Sequence, residues 1–352
     1  MSSLSELTAA RPSGLSDEEA EFLDVAAAIA DEEIERQASA IDVADAVPAA
    51  LIDLLFGQEL HALAVPEKLG GAGARPLLAV LVVERLAEAS AAVGCLVGEA
   101  QAAAAALAAA HLPVPVAAAP AVADGGAGVF LSGGSLSGRV ELAVGVRAGA
   151  PVVVLAGGGD AAFFALVSAN VVGFADSRSR TGLRGLARIA LDLEGVVPDA
   201  VGGAEGVSAG RLHRGLVHAA CAVGVGRRAV AESARYLQAR SQFGRPLADF
   251  GALRRILADA AADVASASSL LHEVAAGASE SPAPVAQAAR VATVAAVGAA
   301  DSAIQLHGGY GYVREYLPER LLRDALSLRA LAGGRLRAPA VESLLEEFSQ
   351  TK

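Results

Sequence analysis

The chain has 352 residues, with 28 Lys plus Arg against 39 Asp plus Glu, a formal net charge of -11 and a hydrophobic fraction of 54%. That length allows two or three domains around a large core and excludes a small scaffold that needs staples. The acidic balance excludes a general nucleic-acid binder, because no basic excess exists to release phosphate counterions.

The opening MSSLSELTAARPSG lacks an apolar run after a basic start, so no signal peptide is expected. Ser16 followed by Asp17, Glu18 and Glu19 is a capping-box pattern, and Phe22, Val25, Ala26 and Ile29 recur at helical spacing. A second helix is expected over Ala49 to Leu63, a Pro/Gly loop over Ala64 to Pro76, and a third helix over Leu77 to Ala92. The Ala-rich run from Glu99 to His111 reads as a packed helix, because Ala is the best helix former. The longest uncharged stretch, Gln101 to Ala123, is mostly Ala and is cut by Pro113, Pro115 and Pro120, so no membrane span is expected. The expectation is a soluble, cytoplasmic protein.

From 113 to about 205 the texture changes. Short Val/Leu/Phe runs of strand length are bounded by Gly, Asp and Ser, which predicts a small antiparallel β domain. From about Ser208 the helical period returns over Leu216–Arg240, Leu247–Ala276, Val285–Leu306 and Pro318–Ala332, which predicts a C-terminal four-helix bundle. The fold class is therefore α+β, with a helical domain over 1–112, a β domain over 113–205 and a helical bundle over 206–352. Cys95 and Cys221 have no C-x-x-C partner, so they read as small buried hydrophobes rather than a zinc site or a disulfide framework.

Two stretches place Gly and polar residues where a bundle has no need of them. The first is Arg240-Ser-Gln-Phe243-Gly244-Arg245-Pro246-Leu247, between two long helices, where arginine forks face a turn. Alone it reads as a solvated helix–helix loop. The second is Gln305-Leu-His307-Gly308-Gly309-Tyr310-Gly311-Tyr312, continuing to Pro318-Glu319-Arg320 and Arg323-Asp324. Consecutive glycines at a helix end let backbone approach a ligand and offer free N–H groups to a phosphate, although such a loop is often only a C-cap. His307 alone reads as a loop or core histidine, and no metal-ligand spacing occurs.

In order and spacing, RSQFGRPL followed by QLHGGYGYVREYLPERLLRDA resembles the C-terminal domain of the acyl-CoA dehydrogenase family, with its R-x-x-F-G-x-x-L, Q-x-x-G-G-x-G and P-x-x-R-x-x-R-D-A elements. Val65-Pro66-Glu67-Lys68-Leu69-Gly70-Gly71-Ala72-Gly73 is similar to a loop of the family's N-terminal domain. Thr181-Gly182-Leu183-Arg184-Gly185 to Val196-Val197-Pro198 is similar to a strand region of its middle domain. The resemblance covers nearly the whole chain.

The resemblance implies FAD lying between subunits. A glutamate takes the α-proton of an acyl-CoA thioester while a hydride leaves the β-carbon for the flavin. One subunit supplies a β-domain cradle, and its neighbour supplies the R-x-x-F-G and Q-x-x-G-G elements. Carried over, those trans elements are Arg240, Phe243, Gln305, Gly308 and Gly309. An electron-transferring flavoprotein is the acceptor that the family commonly uses.

This sequence departs from the pattern at the reacting centre. The usual base position, nine residues after Arg323, is Ala332, and the alternative position on the helix before the R-x-x-F-G loop is Arg214. A methyl group accepts no proton, and arginine stays protonated. The cradle loop is represented by Ala118 to Asp124 without its usual Thr and Ser, and Leu142 and Val144 stand where an aromatic and a hydroxyl are usual. The combination resembles the non-catalytic subunit of actinobacterial heteromeric acyl-CoA dehydrogenases of steroid and cholesterol side-chain breakdown. The expectation is a heterotetramer in which this chain shares FAD with a catalytic partner chain. Two competing readings are a self-sufficient enzyme with a displaced base, for which Glu141, Glu315 and Glu319 are the carboxylates at hand, and a flavin-free binding protein on the same fold.

Overall fold

The computed structural model describes residues 15–115, 118–145, 149–168, 173–174, 180–277 and 281–335. Ser16 starts the first helix, α1 (Asp17–Ala28), with both halves of the capping box in place. The Glu19 backbone N–H donates to Ser16 Oγ at 3.1 Å, and the Ser16 N–H donates to Glu19 Oε2 at 2.9 Å. A π-helical turn over Ile29–Ile34 carries α1 into α2 (Glu35–Ala44). Helix α3 (Ala49–Gly57) is shorter than the expected Ala49–Leu63. Its end falls at Gly57, and Glu59 then takes a positive φ of 55°, which turns Leu60, Ala62 and Leu63 into the core.

Helix α4 (Pro76–Ala89) begins on a proline whose missing N–H is no loss at that position. Ser90 is extended, with φ -153° and ψ 115°, and separates α4 from α5 (Ala91–Ala109). The expected helices Leu77–Ala92 and Glu99–His111 are thus redivided at Ser90. Helix α5 is long and apolar enough to cross a membrane, but 89% of it is buried inside the molecule, where it serves as a core helix.

The middle domain holds β1 (Ala121–Gly126), β2 (Val129–Ser132), β3 (Ser135–Val144), β4 (Val152–Ala156), β5 (Phe163–Val167), β6 (Gly173–Phe174), β7 (Arg188–Asp192) and β8 (Ala200–Gly202). They form two sheets, β1-β4-β5-β8 and β2-β3-β7-β6. Alternate residues face inward: Ala121, Ala123, Val152, Val154, Ala165 and Val167 from one sheet meet Val129, Leu136, Val140 and Leu191 from the other. The expected all-antiparallel domain needs one correction, because β1 and β4 pair in parallel. The chain leaves β1 into the second sheet through β2 and β3 before β4, and such a crossover returns a strand in the same direction.

Among the described residues the C-terminal part holds four helices: α6 (Ala204–Ala239), α7 (Gly251–Ala276), α8 (Pro282–His307) and α9 (Leu317–Arg335). Between α6 and α7 sits a tiny hairpin, β9 (Ser241–Gln242) and β10 (Arg245–Pro246). Helix α6 packs against α4, α5, α7, α8 and α9, so both helical domains share one core that includes Leu78, Val82, Val93, Val97, Val217 and Leu328.

A charged latch ties the ends of this frame together. Arg323 on α9 donates to both oxygens of Asp42 on α2, at 2.9 and 2.8 Å, to Glu319 at 2.6 Å and to the Thr181 carbonyl at 2.9 Å. Next to it, Asp324 accepts the Leu183 N–H at 2.6 Å. A Cβ on Gly182 would lie 2.1 Å from the Arg323 carbonyl oxygen, so only glycine permits that approach. The Arg-Asp pair of the C-terminal motif is therefore structural. Asp42→Ala should cost about 2 kcal/mol of unfolding free energy, because it takes a two-pronged partner from a largely buried guanidinium and leaves it only Glu319 and the Thr181 carbonyl. Denaturant titration checks this, and a loss below about 0.5 kcal/mol, the scatter of an ordinary surface change, would count against the latch.

Candidate functional site

The two Gly-bearing stretches meet at one end of the bundle. Helix α6 ends at Arg240, whose backbone turns extended (φ -88°, ψ 127°) and whose guanidinium lies 5.7 Å from the centroid of the Tyr310 ring. The β9–β10 hairpin pairs Gln242 with Arg245, leaving Phe243 and Gly244 as a two-residue turn with φ of 51° and 79°. Two consecutive positive φ values are the signature of a type I′ turn, which Asn-Gly usually fills. A phenylalanine there is strained, by about 1–3 kcal/mol, and its ring is 91% exposed.

Helix α8 ends in the matching loop. Gln305 is exposed, and its carbonyl accepts the Gly308 N–H. Gly308 has φ 60° and ψ -137°, a backbone region open essentially to glycine alone. A Cβ on Gly244, Gly308 or Gly309 would meet nothing within 4 Å, so all three present bare backbone outward. His307 sits behind the loop with its ring 4.0 Å from that of Tyr236, and Tyr236 Oη donates to the His307 carbonyl at 3.3 Å. Burial lowers the His307 pKa, so the ring is neutral near pH 7. The structure thus brings Arg240, Phe243, Gln305, Gly308 and Gly309 onto one exposed surface, with His307 as a core residue beneath it.

The two base positions lie elsewhere, inside the molecule. Ala332 is buried in the helical core. Arg214 on α6 donates through Nε to Glu99 of α5, at 3.0 Å to Oε1 and 2.8 Å to Oε2. His218, one turn further along α6, bonds to Glu99 Oε1 at 2.6 Å. Burial pulls the Glu99 pKa upward, but the charge of Arg214 and the His218 hydrogen bond outweigh it and keep the carboxyl below its usual range. Cys95 and Cys221, both buried and free, lie beside this cluster with sulfurs 3.5 Å apart. Sequence reasoning passed over Glu99 and His218. The signal was present, because Glu99 is the one charged side chain in a 19-residue helix that is otherwise uncharged, and such a charge must find a partner.

The middle domain leans directly on these helices. Asp124 on β1 is buried and takes a bidentate pair from Arg211 on α6, at 3.0 and 3.2 Å. Gly145, at the end of β3, lies against α5, where an added Cβ would touch Leu96 at 3.6 Å and Glu99 at 3.7 Å. The side chains of Glu141, Leu142 and Val144 fall outside the described residues. Glu319 is held by Arg323, and Glu315 is exposed in the turn before α9.

Two outcomes follow from this geometry. Phe243→Gly should leave the isolated chain as stable as before or stabilise it by up to about 1 kcal/mol, because the strain goes and little buried area is lost. Thermal unfolding tests this, and a clear loss would mean that the ring packs within the chain. His213, hydrogen-bonded to Gln101 at 3.2 Å, has its pKa pushed down to about 4 by burial. Below its ordinary value near 6.5 the unfolded chain takes up a proton that the folded chain refuses, so stability falls as pH drops from about 6.5 to about 4. Asp324, pushed up to about 6 by burial, works in the opposite direction over an overlapping range. The check is therefore the difference in Tm against pH between the native chain and His213→Gln, which should close as pH falls. A constant difference would rule out the titration.

Two family models match: "Acyl-CoA dehydrogenase, N-terminal domain" over residues 16–111 and "Acyl-CoA dehydrogenase, C-terminal domain" over 206–335. A 3-sulfinopropanoyl-CoA desulfinase of Paraburkholderia xenovorans is 35% identical over 140 residues, 38% of this chain and 36% of that protein. A probable acyl-CoA dehydrogenase, YngJ, of Bacillus subtilis is 40% identical over 111 residues, 30% of this chain and 29% of that one. The matched region thus spans about a third of these relatives' length. The butyryl-CoA dehydrogenase structure from Megasphaera elsdenii superposes with a TM-score of 0.86 at 22% identity, covering 95% of this chain and 100% of that one, which shows a common fold. Members of the family are FAD-dependent. With both of its helical domains matched, over more than half its length, the chain belongs to the acyl-CoA dehydrogenase family.

Proposed function

We propose that this chain is the non-catalytic subunit of a mixed, FAD-dependent acyl-CoA dehydrogenase and completes the flavin site of a catalytic partner chain. The observation that carries this reading is the pairing of Arg214 with Glu99. Of the two positions where the family keeps its base, one is a buried methyl, Ala332, and the other is a guanidinium bonded to a carboxylate. Neither takes a proton from a thioester α-carbon. Glu99 is the carboxylate nearest the second position, and it is committed to two cationic or hydrogen-bonding partners.

The fit to FAD is one-sided. The surface of Arg240, Phe243, Gln305, Gly308 and Gly309 offers a guanidinium fork, an amide, an aromatic edge and open backbone, which suits the phosphates and adenosine end of a dinucleotide. This chain's own cradle suits a flavin poorly. Asp124 is spent on Arg211, and Gly145 packs directly on α5. FAD held by the partner would supply the two-electron acceptor. This chain's residues would bind its pyrophosphate through Arg240, orient its adenosine end through Gln305 and the glycine loop, and exclude water with Phe243. The substrate would be an acyl-CoA of steroid or lipid breakdown, with an electron-transferring flavoprotein as acceptor and a cytoplasmic setting.

The desulfinase among the relatives supports one alternative, a member of the family whose named reaction is not a dehydrogenation. Flavin per chain separates the readings. The chain alone should be colourless, and co-expression with a catalytic acyl-CoA dehydrogenase chain should give one flavin per two chains. Arg240→Ala and Gln305→Ala, each removing contacts to an anionic dinucleotide, should lower flavin occupancy about tenfold at limiting FAD. A yellow chain purified alone, with one flavin per chain, would sink the proposal in favour of a self-sufficient enzyme. Unchanged flavin in both variants would show that this surface does not hold the cofactor, and would sink the proposal as well.

A further inference from the structure

Two arginines at the open end of the bundle are held unlike those of the packed frame. In the frame, carboxylates hold the guanidinium groups: Glu99 holds Arg214, Glu84 holds Arg227 and Asp42 holds Arg323. Arg240 instead lies over the ring of Tyr310, 5.7 Å from its centroid, and Arg245 over the ring of Phe250, at 4.1 Å. Both arginines are exposed, and among the described residues neither side chain makes an ion pair or a hydrogen bond. No Asp or Glu occurs between Arg240 and Leu247. A carboxylate neutralises a guanidinium and takes up its N–H groups. A ring face attracts the cation but leaves its charge and its donors free.

The β9–β10 hairpin sets both arginines on one side. The backbone of Arg240 is extended, and its carbonyl accepts the Leu247 N–H at 2.8 Å. Ser241 pairs with Pro246 and Gln242 with Arg245, so Arg240 stands opposite Leu247 in the same ladder. Opposed residues share a face and successive residues alternate, which puts Arg240 and Arg245 on the same face. They are diagonal neighbours, about 7–8 Å apart at the backbone, within reach of one ligand for two long side chains. We propose that Arg245 is a second phosphate-binding residue of the shared dinucleotide site and closes with Arg240 on its pyrophosphate, while Tyr310 and Phe250 are the positioning residues that seat the two guanidinium groups. This inference rests on the flavin-site reading. Two planar forks match two adjacent phosphate groups, each of which takes bidentate N–H donation. The ring seats restrict the long side chains before the ligand arrives, without competing with it for donors. Tyr310 belongs to the glycine loop at the end of α8, so the seat of Arg240 also joins the two Gly-bearing stretches.

The test is the Kd for FAD of the mixed complex, formed with a co-expressed catalytic acyl-CoA dehydrogenase chain, stripped of flavin and titrated while flavin fluorescence is followed. Far-UV circular dichroism checks the fold of each variant. Arg245→Gln should raise the Kd about tenfold, and Arg245→Lys, which keeps the charge but loses the fork, about threefold. Tyr310→Leu and Phe250→Leu should each raise it about threefold. A positioning role has a further signature, because a seat matters only through its arginine. Tyr310→Leu should have no added effect in the Arg240→Ala background, nor Phe250→Leu in the Arg245→Gln background. A seat variant that weakens FAD equally with its arginine removed acts on the fold alone and overturns the positioning role. Arg245→Gln with a Kd within about twofold of the native complex overturns the second phosphate contact. If Arg240→Ala weakens FAD and Arg245→Gln does not, this inference falls and the flavin-site reading stands. If neither variant weakens FAD, both fall.

Discussion

The ionised carboxylate of Glu99 constrains much of what lies around it. It stands inside the packing of α5 on α6, where no water reaches it. Removing one partner from a buried ion pair typically costs about 3–5 kcal/mol, because the other charge is left unsolvated. Arg214 and His218 are therefore held on the face of α6 that meets α5, and the long helix is fixed in rotation. That rotation in turn sends Arg211 toward Asp124 of β1 and sets Cys221 against Cys95. One charge in an apolar helix thus couples the N-terminal helices, the β domain and the bundle.

The latch around Arg323 does similar work at the other end. The segment from Thr181 to Gly185 runs between α2 and α9, and its backbone groups are taken up by Arg323, Asp324 and Asp45. A loop buried in this way needs its N–H and C=O groups satisfied, and the side chains of two helices supply the partners. The consequence is a β domain anchored from both sides. Residues that read as a family signature thereby have a mechanical role within a single chain.

Against these closed contacts, the surface at the ends of α6 and α8 stands open. A strained, exposed Phe243, whose ring meets only the edge of Phe250 at 6.4 Å between centroids, and a glycine-only Gly308 face outward from the packed core. Strain of that kind persists where something outside the chain uses it. The division between a sealed interior and an open, strained rim is the physical basis of the proposal that this chain completes another's site.

Much of the architecture was legible in the residues. The Ser16 capping box, the strand-length runs of the middle domain and the long helical periods of the C-terminal part depend on local chemistry, which one segment carries by itself. The pairing of RSQFG with QLHGGYG was legible for the same reason, since turn residues and glycines mark backbone shapes directly. What only the tertiary structure decided are relations between distant segments: the parallel β1–β4 pair, the break at Ser90, the meeting of Glu99 with Arg214 across 115 residues, and the grip of Arg323 on Asp42 across 281. A side chain's charge is written in the sequence. Its partner is set by which helix faces pack together, and that depends on burying the whole core at once.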